Sequence, residues 1–104
     1  MEQIGFRMQL NEGQAIEYQR RHDEIWPELV SLLKDAGVSD YSIFLHEPTN
    51  SLFAVLRRTP AHTMAKLPLE PIMQKWWAYM ADIMLSGANS EPVVEPMERV
   101  FHME

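Results

Sequence analysis

The chain contains no cysteine, so disulfide staples and thiol nucleophiles are both excluded, and a reducing compartment is permitted. Glycine is scarce. Four glycines leave no room for a glycine-rich phosphate loop, and no glycine-framed serine of the hydrolase type occurs. Basic residues are in deficit as well: nine Lys and Arg face 15 Asp and Glu, for a formal net charge of −6. A nucleic-acid or anionic-membrane partner is therefore not expected, because either needs a basic patch. The only basic doublets, Arg20-Arg21 and Arg57-Arg58, read as solvated surface or ion-pair partners. No stretch approaches the roughly 20 apolar residues of a membrane span, and the N-terminus lacks a basic leader with an apolar run, so a cytoplasmic protein is expected. The four histidines, His22, His46, His62 and His102, form no close pair at ligand spacing, and no metal is expected.

What is present is an ordinary globular composition, 46% hydrophobic and 23% charged, over a length suited to one domain spanning 1–104. From Glu2 to Leu10, Ile4, Phe6, Met8 and Leu10 alternate with polar residues or glycine, the period of a strand with one buried face. Asn11 is placed to cap a helix running from about Glu12 to Ala36, with Ala15, Ile16, Tyr18, His22, Ile25, Trp26, Leu29, Leu32 and Leu33 inward and Gly37 as its stop. Pro27 falls inside that stripe. It predicts a kink, or a break with Pro27 opening a second helical segment. Asp40–His46 and Ser51–Arg58 alternate again around the turn residues Glu47-Pro48-Thr49-Asn50 and predict a hairpin.

The three prolines of Thr59–Pro71 permit only short helical turns, and a firmer helix is expected from Glu70 or Pro71 to about Leu85. Ser86–Pro96 reads as a long loop, of the kind that serves as a lid or a subunit contact, and Met97–Met103 as a last strand. The order strand, helix, strand, strand, helix, strand is that of an α+β, ferredoxin-like split βαβ fold: a four-stranded antiparallel sheet with helices on one face. Phe44, Phe53 and Val55 would then line the other face, opposite Leu52, Ala54 and Leu56. An apolar open face predicts a homodimer that closes it and protects the edge strands.

The candidate chemistry begins at Tyr18, His22 and Trp26, whose four-residue spacing on a helix stacks a phenol, an imidazole and an indole about 40° apart around the axis. Taken alone, such a pair of tyrosine and histidine also fits a satisfied core histidine beside packed aromatics. Trp76-Trp77 is the second unusual feature. Adjacent tryptophans on a helix point about 100° apart, so both are buried only where two surfaces meet, at an interface or against a flat ligand such as a sugar ring. Tyr41 opens the second strand and could reach the same end of the domain as Tyr18, while Tyr79 and His102 read as packing.

The segments Tyr18–Leu29, reading YQRRHDEIWPEL, Asp40–Leu45, reading DYSIFL, and Lys75–Met80, reading KWWAYM, resemble in order and spacing the L-rhamnose mutarotase family. The length and the closing Val100-Phe101-His102 also fit, so the resemblance covers essentially the whole chain. It implies a dimeric α+β barrel that interconverts the anomers of L-rhamnose without a cofactor. By position it implies that His22 is the proton donor and that Tyr18, Tyr41, Trp76 and Trp77 contact the sugar. Opening a pyranose hemiacetal needs one proton delivered to the ring oxygen and one removed from the anomeric hydroxyl, work suited to an imidazole of ordinary pKa about 6.5. The same barrel could instead serve a cofactor-free monooxygenase or lactone isomerase, which would want a deeper apolar pocket, or a non-catalytic small-ligand binder with His22 in its core.

Overall fold

The computed structural model describes residues 1–104. Strand β1 (Glu2–Gln9) leads through a short turn into helix α1 (Ala15–Asp23) and helix α2 (Pro27–Asp35), and a hairpin of β2 (Val38–His46) and β3 (Ser51–Arg58) follows. A 3-10 segment (Met64–Leu69) precedes helix α3 (Pro71–Met80), and β4 (Glu95–Met97) completes a four-stranded antiparallel sheet of order β2-β3-β1-β4. The split βαβ arrangement expected from the strand and helix order is therefore the observed one. No helix is long and apolar enough to cross a membrane.

Register fixes which side chains meet the helices. Phe6 pairs with Ala54 and Ala54 with Ile43, while Met8 pairs with Leu52 and Leu52 with Leu45, so all of these point to one face. With period-two alternation that face also takes Tyr41 and Leu56. Leu52, Ala54 and Leu56 are 0–1% exposed and make the floor of the core, which Leu29, Met73, Trp76 and Met80 cover from the helices. The opposite face carries Phe44, Phe53 and Val55, with Phe44 63% exposed.

Pro27 breaks the long helix rather than bending it. It occupies the first position of α2, where its missing N–H costs nothing, and Trp26 before it is extended at φ −65°, ψ 129°. Gly37 ends α2 at φ +93°, and a Cβ there would lie 2.6 Å from Thr59 Oγ1, so both backbone sign and space demand glycine.

Several local expectations are corrected. Asn11 does not cap α1, which begins at Ala15; its side chain bonds the Asp82 carbonyl, because Leu10 bridges Met84 and holds this turn to the end of α3. The same bridge draws the chain out of α3 after Met80, five residues before the expected end at Leu85. Ile16 lies outside the inward stripe and is 86% exposed, since a two-residue step along α1 places it about 160° around the axis from buried Tyr18. The last strand is Glu95–Met97, not Met97–Met103. Pro96 marks a loop in the sequence but is tolerated in an edge strand, and residues 98–104 then run exposed past the sheet.

Candidate active site

The five residues that the family resemblance implies for the site, Tyr18, His22, Tyr41, Trp76 and Trp77, line one open cleft of about 1730 Å³ between the sheet and the helices, and Trp26 does not. Helix α1 supplies Tyr18 and His22, β2 supplies Tyr41, and α3 supplies the tryptophans. Of the 38 residues around the cleft 25 are hydrophobic, so its few polar groups are set in an apolar surround, as in ligand sites generally.

Tyr18 and His22 are stacked, with ring centroids 4.3 Å apart and planes 28° from parallel, as residues one helical turn apart should be. The imidazole Nδ1–H donates to the Tyr18 carbonyl at 3.0 Å. That carbonyl lies inside the helix, one turn back. This bond sets the tautomer, leaving Nε2 as the nitrogen for a ligand. Burial holds the His22 pKa below its ordinary value, against opposing effects of the Tyr18 carbonyl and the Asp23 carboxylate. His22 is thus a neutral base at neutral pH.

The two phenols behave differently from surface tyrosines. Burial raises Tyr18 well above the usual phenol range, with a further contribution from the nearby Tyr41 hydroxyl, and pushes Tyr41 up to about 12. No protein hydrogen bond offsets either effect. Tyr41 is 39% exposed by area, but the surface it shows is the wall of the cleft, and its ring is edge-on to Phe6 at 6.4 Å. Two hydroxyls that stay protonated and lack protein partners are donors and acceptors free for a polar ligand.

Trp76 is 7% exposed and meets His22 edge-on, with centroids 5.3 Å apart and planes at 88°. Trp77 is half-buried on the adjacent wall. Trp26 departs from the expected row: the break at Pro27 takes it off the Tyr18 and His22 face, and it packs edge-on to Trp76 at 5.1 Å and flat on Tyr79 at 5.7 Å. Each such aromatic pair is worth about 0.5–1.5 kcal/mol beyond the area it buries, so the corner is held firmly.

A model of the L-rhamnose mutarotase family matches residues 3–103. The chain belongs to the L-rhamnose mutarotase family. It is 64% identical to an L-rhamnose mutarotase of Sinorhizobium fredii, over 99% of both chains, and 61% identical to one of Acidiphilium cryptum, over 99% of both. A crystal structure of an L-rhamnose mutarotase from Formosa agariphila superposes on it with a TM-score of 0.94 at 48% identity, covering 100% of both chains.

In this member of the mutarotase family the fold also reveals residues that sequence reasoning passed over. Arg21 is 8% exposed, and its guanidinium donates to Glu17 at 2.7 Å, to the Tyr79 carbonyl at 2.6 Å and to both Asp82 oxygens at 2.8 and 3.2 Å. Its only sequence signal was an ion-pair reading of the Arg20-Arg21 doublet, which Arg20 meets at the surface with Glu17 and Glu24. Nothing in the spacing marks one arginine of the two as buried.

Proposed function

We propose that the protein interconverts the α and β anomers of L-rhamnopyranose by acid-base opening and closing of the ring, with His22 moving the proton. The observation that carries this is the cleft itself: an oriented imidazole with Nε2 free, flanked by two unpartnered phenols and two indoles, in a chain of this family.

The neutral Nε2 takes the proton of the anomeric hydroxyl, while Tyr18, protonated in the free protein, delivers its own proton to the ring oxygen as the C–O bond opens and takes it back on closure. The aldehyde turns about its bond to C2. The imidazolium then acts as the proton donor on closure, returning the proton to the new anomeric oxygen, as microscopic reversibility requires. Only protons change hands, so the chemistry calls for no cofactor. Tyr41 holds a further sugar hydroxyl, and Trp76 and Trp77 cover the C–H face and the methyl of the 6-deoxy sugar.

The working unit in this reading is a homodimer in which a second copy covers the outer sheet face with its exposed Phe44, and it acts in the cytoplasm, where its cysteine-free composition is at no disadvantage. Saturation-transfer NMR on an equilibrated rhamnose solution tests the activity. Enzyme-dependent exchange between the two anomeric protons is expected, and a folded protein that gives none overturns the assignment.

A further inference from the structure

Arg21 and His22 are neighbours in sequence, yet a chain of contacts from one to the other passes through a different helix. The guanidinium carbon of Arg21 lies 4.4 Å from the centre of the Tyr79 ring. Tyr79 stacks on Trp26 with planes 26° apart, Trp26 meets Trp76 edge-on, and Trp76 meets His22 edge-on. Tyr79 and Trp76 also touch directly, at 5.8 Å, one turn apart on α3. The circuit closes at α1, where residues 21 and 22 point about 100° apart.

No backbone hydrogen bond joins α1 to α3. The tie between them is the Arg21 fork, on the Tyr79 carbonyl and the Asp82 carboxylate. Arg21, Trp26, Tyr79 and Asp82 do not line the cleft, so none of them touches a sugar held there. We propose that Arg21 is a positioning residue, which clamps α1 to the end of α3 and, through Tyr79 and Trp26, holds the Trp76 indole edge-on against the imidazole of His22.

The chemistry of the side chain suits this role. A buried ion pair contributes little net stability compared with an apolar replacement, but a planar guanidinium bonded on both edges and stacked on a ring fixes angle as well as distance. A lysine at the same place keeps the charge and loses the fork and the plane. Because His22 is perturbed mainly by desolvation, loosening the indole against it would admit water to the imidazole.

The kinetic arm of the test rests on the mutarotase reading, and a second arm does not. In Arg21→Lys, the rate of anomer exchange at saturating rhamnose is expected to fall tenfold or more, measured below the thermal midpoint of the variant so that the protein is folded. The His22 Cε1–H titration followed by NMR, in protein without sugar, should move up toward the ordinary histidine value. The charge at 21 is retained, so that movement reports packing rather than electrostatics. Tyr79→Leu, at a half-exposed ring, should reproduce both effects, and it supplies the answer if the Arg21 variant does not fold. A wild-type exchange rate and an unmoved His22 titration in the folded variants overturn the proposal. A wild type without exchange overturns the mutarotase reading instead, and the titration arm still decides the role of Arg21.

Discussion

At the scale of single residues, the role proposed for His22 turns on which protonation state does the first step. Burial disfavours the imidazolium, so the neutral form persists below the ordinary histidine pKa and Nε2 is available as a base over the neutral range. The exchange rate, after subtraction of the uncatalysed rate at each pH, should rise with pH through a value below about 6.5 and then level off. A rate that instead falls as pH rises through that range would assign the first transfer to the imidazolium. Replacing His22 with Ala should cost about 10² to 10⁴-fold in exchange rate with the fold retained. Tyr18→Phe keeps the stack on His22 and removes only the hydroxyl; losing a donor to a developing charge is worth about 1.5–3 kcal/mol, so a loss of roughly ten- to a hundredfold is expected by the same NMR exchange measurement. An unchanged rate would pass the ring-oxygen contact to Tyr41 or to water.

At the scale of elements, the tie between α1 and the turn after α3 is electrostatic and therefore has a pH signature. Hydrogen bonds from Arg20 and Arg21 lower Glu17 to about 2, and the Arg21 hydrogen bond lowers Asp82 as well. A carboxylate lowered in the folded state contributes stability that is fully present above its unfolded pKa, about 3.8 for Asp82 and 4.5 for Glu17, and is lost as pH falls toward its folded value. Asp82→Asn should therefore be less stable than the wild type in urea at pH 6, with the gap narrowing at pH 3; a gap that does not narrow would show that the carboxylate acts by shape and not by charge.

How much of this was legible in the sequence follows from what each signal reports. Period and spacing gave the strands, the broken helix and the convergence of Tyr18 with His22, because these depend on the repeat of the local backbone. The same spacing misplaced Trp26, since the row holds only while the helix is continuous and Pro27 ends it. Helix ends depart from local preference where a long-range bridge, Leu10 to Met84, overrides it, and β4 lies earlier than its alternation suggests, because Pro96 signals a loop unless the strand is known to lie at an edge. The burial of Arg21 depends on a partner 61 residues away and has no local signature.

At the scale of the whole molecule, what is unfinished is the outer face of the sheet. Phe44 is 63% exposed beside its cross-strand partner Phe53, and Met97 is 38% exposed where β4 meets Gly5. The chain then runs on beyond the sheet with Val100, Phe101 and Met103 at 70–90% exposure, and Arg99 donates to Gln3 of β1 at 3.4 Å. An isolated chain would leave this apolar surface in water, at about 25 cal/mol for each Å² that a partner could cover. Self-association must also overcome like charge, since each copy carries −6. Both terms make the same experiment informative. By light scattering after gel filtration at micromolar concentration the protein should run as a dimer, more firmly so at higher salt, because screening weakens the repulsion and leaves apolar burial intact. Phe44→Glu, which adds a charge to each side of a two-fold contact and removes its aromatic anchor, should weaken association a hundredfold or more while the monomer keeps its fold by circular dichroism. A wild type that stays monomeric at these concentrations would mean that the face is solvated in use and that the cleft on the helical side works alone; a Phe44→Glu dimer of undiminished strength would move the contact off this face, toward the exposed arm of residues 98–104.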